Sequence, residues 1–144
     1  MFTLGNHLLN LVGRVFLVAI FLLSTVGNKI PNFNAVAGYM SSEGVPAPQF
    51  LLAGAIVFLL VGSASILLGF RARFGASLLA VFLILASYYF HDFWTLPADQ
   101  QQDQMIQFLK NLGLLGAMLI IMSQDVGGWT VDHWLSRRKG KLGA

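Results

Sequence analysis

The sequence predicts an all-α integral membrane protein, a bundle of four transmembrane helices with a short amphipathic helix between spans one and two. Composition points there first. Of 144 residues, 56% are hydrophobic and only 10% charged, and the mean hydropathy is +0.71. A soluble domain carries about 25% charged residues, so a water-soluble chain this apolar would have nowhere to put its surface. Four apolar stretches, each close to the roughly 20 residues a spanning helix needs, are the second observation. The third is that these stretches are uninterrupted rather than alternating, which argues against a β-barrel. The length suits a single membrane domain over residues 1–144.

The first span covers about Leu8 to Gly27. Arg14 interrupts it and three more spans follow, so it reads as a retained helix and not a cleaved signal. The second covers about Phe50 to Phe70, with Pro46 and Pro48 near its start, where a missing N–H is tolerated. The third covers about Ala72 to Phe90, entered through a short turn. The fourth covers about Met105 to Met122 and is broken by Gly127 and Gly128. Between spans one and two, Phe33, Val36, Ala37 and Met40 recur at helical spacing, which predicts an amphipathic helix from Phe33 to Ser42.

Charge sets the expected orientation. Arg71 and Arg73 lie in the turn between spans two and three, and a basic tail over residues 135–144 follows span four. The positive-inside rule places both on the cytoplasmic face of a plasma (inner) membrane, with both termini. The third loop, with Asp92, Asp99 and Asp103, is acidic and falls on the opposite side; Lys29 is the dissenting charge. A short basic run beside a span sets topology or touches anionic lipid, so no nucleic-acid partner is assigned. Trp94, Tyr88 and Tyr89 at one interface, and Trp129 and Trp134 at the other, read as aromatic anchors. Small residues at four-residue spacing let helices approach: Ser65 and Gly69, then Ala72, Ala76 and Ala80, then Gly113 and Ala117.

A bilayer tolerates polar side chains only where something satisfies them, so these mark any site. Arg14 sits nearly two turns into span one, where a guanidinium at the bilayer centre would cost about 2.5–3.5 kcal/mol. It takes a structural role or contacts a lipid phosphate. Asn10, Arg14, Phe21, Ser24 and Asn28 share one face, expected to look inward. Lys110 lies inside span four and either pairs with Asp92, Glu43 or Asp103 or belongs to a polar pocket at the non-cytoplasmic end. That candidate pocket comprises Lys29, His91, Asp92, Trp94, Gln107, Lys110 and Asn111. Lys110 or His91 could there donate to a ligand carbonyl. His7, His91 and His133 are too scattered for one metal site, and none is assigned. The absence of cysteine removes disulfides, thiol relays and cysteine-held clusters. No catalytic residue can be named from spacing.

The chain resembles the DoxX family of small four-helix membrane proteins from about Gly13 to Asp132. The resemblance rests on Gly13-Arg14, Gly27-Asn28-Lys29, Tyr39-Met40 with Gly44-Val45-Pro46, and Leu68-Gly69-Phe70 with Arg73. Its most specific pieces are His91-Asp92-Phe93-Trp94 and Met105 through Asn111. Many members carry a glutamate in the middle of the second span; this chain has Leu59 there, so a proton carrier at that position is missing. The resemblance implies the four-helix fold and a link to membrane oxidoreductase complexes, and the wider superfamily implies assembly or trafficking factors.

Three functions follow as expectations. The chain is an accessory subunit of a membrane oxidoreductase system, with a quinone as the ligand that fits an aromatic face and carbonyl donors, and with electrons supplied by a partner subunit. Alternatively it is a non-catalytic scaffold or assembly factor, its small-residue stripes serving partners or a homo-oligomer. A small transporter ranks lower, because paired repeats and discontinuous helices are not evident. Membrane lipid is a partner in every case.

Overall fold

The computed structural model describes residues 4–124, 127 and 129–142, the side chains of residues 139–142 excepted. It is all-helical over these residues. Helix α1 (Leu4–Ser24) continues into a π-helical turn, Thr25–Lys29; α2 is Phe33–Ser42, α3 Pro48–Leu68 and α4 Ala72–Phe90. A 3-10 turn (Phe93–Thr95) leads to α5 (Ala98–Ser123), and α6 (Val131–Leu142) follows. Four are long and apolar enough to cross a membrane: α1 with its π turn, α3, α4 and α5.

The predicted short helix and third span coincide with α2 and α4. Helix α3 stops at Leu68 because Gly69 takes a left-handed φ of 63° and closes the helix with N–H bonds back to Ile66 and Ser65. Helix α5 begins well before the expected Met105, at Ala98 after Pro97. Its first two turns are polar, and hydropathy registers only the apolar part. The basic segment is helical from Val131, capped by the Thr130 hydroxyl accepting from the His133 N–H at 3.2 Å. Of the expected break, Gly127 has a φ of 85° and Gly128 lies outside the described residues, as do residues 143 and 144 of the tail.

Packing runs in the order α1, α3, α4, α5: α3 lies between α1 and α4, and α4 between α3 and α5. Lipid tails are as apolar as leucine, so close fit rather than water exclusion holds such helices together. The tightest fit is the α3–α4 crossing. A Cβ added at Gly62 would stand 2.9 Å from the Gly75 carbonyl oxygen, and one at Gly75 would stand 2.5 Å from the Ser65 Cβ. The Ala72, Ala76, Ala80 stripe is buried on the same α4 surface, among Leu79 and Leu83. The Gly113 and Ala117 stripe has no such role, because the space before Gly113 is open. Helix α5 instead turns Met118 into the core with Val18, Phe21, Leu59 and Ile66.

Helix α2 folds over one end of the bundle. Ala37 and Met40 are buried with Val45 and Leu52, against Phe33, Val36, Ile56, Tyr89 and Phe90. At the same end, the π turn changes the register of α1. Asn10, Arg14, Phe21 and Ser24 face inward as expected, but Asn28 is exposed and Lys29 is half-buried in its place. The Ile30 N–H bonds to the Thr25 carbonyl, so the turn holds one residue more than an α-helical turn and carries the inward position one residue along.

Candidate functional site

Between α4 and α5, beneath the 3-10 turn, lies a groove of about 230 Å³ lined by Ile84, Ser87, Tyr88, Trp94, Phe108, Asn111, Leu112 and Leu115. It opens on the outer surface of the bundle, where Ile84, Tyr88, Trp94 and Leu112 are exposed. Its polar pair is Asn111 and Ser87: the amide Nδ2 donates to the hydroxyl oxygen at 3.2 Å. Its aromatic wall is a cluster of three rings. Trp94 meets Phe93 edge-on at 5.2 Å and Phe108 at 5.9 Å, and Phe93 meets Phe108 at 5.7 Å. Edge-to-face packing of this kind holds rings in fixed orientations. Helix periodicity explains the set: Ile84, Ser87 and Tyr88 are three and four apart on α4, as are Phe108, Asn111, Leu112 and Leu115 on α5.

Of the residues expected to converge, the structure brings Trp94 and Asn111 together here and places the others elsewhere. The Lys29 ammonium donates to the Ser24 hydroxyl and sits 5.7 Å from the centre of the Phe82 ring. His91 Nδ1 is 2.8 Å from Gln104 Oε1, which ties the end of α4 to the start of α5. Asp92 accepts from the Thr95 hydroxyl at 2.8 Å and closes the 3-10 turn. Gln107 and Lys110 are exposed on α5, and Asp92 is engaged with Thr95 instead of Lys110. Lys110 lies about 160–200° around the helix from Phe108 and Leu112, so it faces away from the groove. Helical side chains lean toward the N-terminus, and here that carries the ammonium toward the α2 end and out of the bilayer. Ser87 was not singled out in the sequence, Tyr88 was read only as an interface anchor and Phe108 only as part of the run from Met105 to Asn111: such residues in apolar helices look like packing or interface residues until the partner helix is placed.

Near this groove, Tyr39 stacks on Phe90 with centroids 5.6 Å apart. Burial raises its phenol pKa above the ordinary value, and the negative charges of Glu43 and then Asp92 push it further the same way. Among the described residues no three His, Asp or Glu side chains lie close enough to hold a metal ion.

The opposite end belongs to Arg14, only 4% exposed. Its Nη1 donates to the carbonyls of Leu67 at 3.0 Å and Ile66 at 3.4 Å, and its Nη2 to that of Trp129 at 2.7 Å. The last turn of α3 carries the negative end of the helix dipole, and beyond the Gly69 cap its final carbonyls still have acceptor capacity to fill. The guanidinium meets both needs. Gly69 makes this possible, since a Cβ there would stand 2.5 Å from Thr130 Cβ and 2.8 Å from Arg14 Nη1. Leu59, where many resembling proteins have an acid, is wholly buried in the core.

Comparison with known proteins agrees with this architecture. Residues 9–92 match the DoxX family, from α1 to the end of α4 and short of α5. The inner membrane protein YphA of Escherichia coli (strain K12) is 28% identical over 132 residues, covering 92% of this chain and 94% of that one. The inner membrane protein YqjF of the same organism is 28% identical over 128 residues, covering 89% and 92%. The Surfeit locus protein 4 homolog of Schizosaccharomyces pombe is 26% identical over 72 residues, covering 49% of this chain and 24% of that protein. No solved structure matches the chain. With four spanning helices and a family match over more than half its length, the chain belongs to the DoxX family of inner membrane proteins.

Proposed function

We propose that the protein is an accessory subunit of a membrane oxidoreductase system and that the α4–α5 groove takes the head ring of a membrane quinone. The observation that carries this is the pairing of an aromatic wall with a hydrogen-bonding floor, Trp94 and Phe108 above Asn111 and Ser87, in a groove open to the lipid. A quinone enters from the bilayer, stacks its ring and accepts at its carbonyls. Asn111 Nδ2 is a donor at the right place, and a few placed polar groups in an apolar cleft are the usual form of a small-molecule site. Electron transfer belongs to a partner subunit. The basic α6 and the α3–α4 turn lie on the cytoplasmic side in this reading, and the groove near the opposite face.

The test uses Trp94 as reporter in a Trp129→Phe, Trp134→Phe background. A short-chain quinone analogue should quench its emission saturably, and Asn111→Leu should abolish saturation while leaving thermal unfolding unchanged. Quenching that rises linearly and equally in both proteins would show collisional contact alone. The scaffold reading would then stand, supported by the open α5 surface at Gly113. Orientation is checked separately. The chain has no cysteine, so Ser42→Cys and Ser136→Cys each supply a single thiol. An impermeant maleimide added to intact cells should label the first and spare the second.

A further inference from the structure

We infer that α6 and the α3–α4 turn form a single basic-aromatic surface that binds anionic phospholipid in the adjoining leaflet. The argument starts from how α6 is held. Arg14 bonds the Trp129 carbonyl just before it. The Asp132 carboxylate then accepts from the Arg71 backbone N–H at 2.8 Å, and the Asp132 N–H donates to the Gly69 carbonyl at 3.3 Å. The first turn of α6 is thus fastened to the turn that joins α3 to α4. Both of those helices are long and apolar enough to cross a membrane, so the turn lies at headgroup depth and the start of α6 lies with it.

The same contacts set the charge. Asp132, the acid in the first turn of α6, is spent on a backbone amide, while Arg137 and Arg138 are exposed. Arg138 Cζ lies over the Trp134 ring, 4.0 Å from its centroid. A guanidinium held over an aromatic ring keeps its charge and its N–H donors, which form the fork that suits a phosphate. Trp134 and Leu135 are themselves exposed next to these charges. A short helix with exposed tryptophan and leucine among arginines, fixed at the bilayer surface, matches the chemistry of an anionic interface: apolar groups enter the acyl boundary and cations meet phosphate. Arg71 adds a further cation beside it.

The test keeps the full chain, in a Trp94→Phe, Trp129→Phe background so that Trp134 alone reports. The protein is placed in nanodiscs with brominated phosphatidylglycerol or, at equal bromine content, brominated phosphatidylcholine. Phosphatidylglycerol should quench Trp134 more strongly, and Arg137→Gln with Arg138→Gln should erase that preference. Native mass spectrometry of the wild-type tryptophan chain gives an independent readout. There the double arginine variant should retain phosphatidylglycerol on the order of tenfold less well, with phosphatidylethanolamine retention unchanged. Equal quenching by both lipids, or none by either, would overturn the proposal, leaving the arginines as topology signals. Displacement of phosphatidylglycerol by an added oligonucleotide at physiological salt would also overturn it, in favour of a nucleic-acid surface.

Discussion

The Nη2 of Arg14 donates to the carbonyl of Trp129 at 2.7 Å, joining two residues 115 positions apart in the chain. The same guanidinium closes the end of α3 through Leu67. One side chain in the first span therefore locks the second span and the segment leading into α6. A cation buried in the protein would be costly alone; three carbonyls aimed at it supply the compensation.

Arg14→Met should therefore lower stability by about 3 kcal/mol, from two strong hydrogen bonds to a charged group at about 1.5 kcal/mol or more each. Arg14→Lys should recover only part, since an ammonium lacks the planar fork that reaches separate carbonyls at once. Thermal unfolding in detergent measures both. An Arg14→Met protein as stable as the parent would dismiss the capping role.

The α3–α4 crossing predicts opposite responses from two glycines. Gly75→Leu forces the Ser65 side chain and the Gly62 backbone apart and should cost about 3 kcal/mol or more, the upper end for overpacking. Gly113→Leu meets open space and should change stability by no more than about 0.5 kcal/mol. Monodispersity after a heat step separates them. A destabilised Gly113→Leu would mean that a neighbour absent from the single chain covers α5.

At Lys29 the ammonium is turned into the bundle by the π helix and satisfied by one hydroxyl and one ring face. Ser24→Ala should cost about 0.6 kcal/mol, the usual worth of one interhelical-grade polar contact in a membrane. Lys29→Met should raise the unfolding midpoint, because an apolar chain of similar length removes the desolvation cost altogether. A lower midpoint for Lys29→Met would indicate that the ammonium has a partner supplied by the membrane.

Tyr39 predicts a pH effect. Burial first, then Glu43 and Asp92, raise its pKa in the folded protein. A group whose folded pKa is raised contributes stability that is fully present below the unfolded value, about 10 for tyrosine. That contribution is lost as pH rises through the higher folded value. Tyr39→Phe should abolish this alkaline loss and leave stability near neutral pH unaffected by titration. The tyrosinate absorbance of the folded parent should also lag that of the unfolded chain; matched titrations of the two would dismiss the effect.

The fold was legible where hydropathy and period carry it. Phe33, Val36, Ala37 and Met40 mark α2 at its observed bounds because one apolar face every three to four residues is a local signal. The end of α3 was not legible: the apolar stretch runs on to Phe70, whereas the helix stops at Leu68, where Gly69 takes the left-handed cap that a glycine adopts without strain. The start of α5 was not legible, because its polar first turns stand clear of the apolar stretch. Nor was Lys29 in place of Asn28: one extra residue in a helical turn leaves no mark in composition. Among the candidate site residues, Trp94 and Asn111 met and Lys29, His91, Asp92, Gln107 and Lys110 did not, since nearness in depth says nothing about which side of a helix a residue occupies.

By itself the sequence determined that this chain lives in a membrane as four helices, where the apolar lengths lie and which end is basic. These are properties of single segments in contact with lipid, and each segment carries its own signal. Tertiary structure alone decided that Arg14 closes a helix from another span, that Asp132 fastens α6 to the α3–α4 turn, and that Ser87 and Asn111 share a groove with Trp94. Each of these depends on the rotation of one helix against another. In a bilayer that rotation is chosen by close fit, here at Gly62 and Gly75, and not by a hydrophobic face readable along one chain.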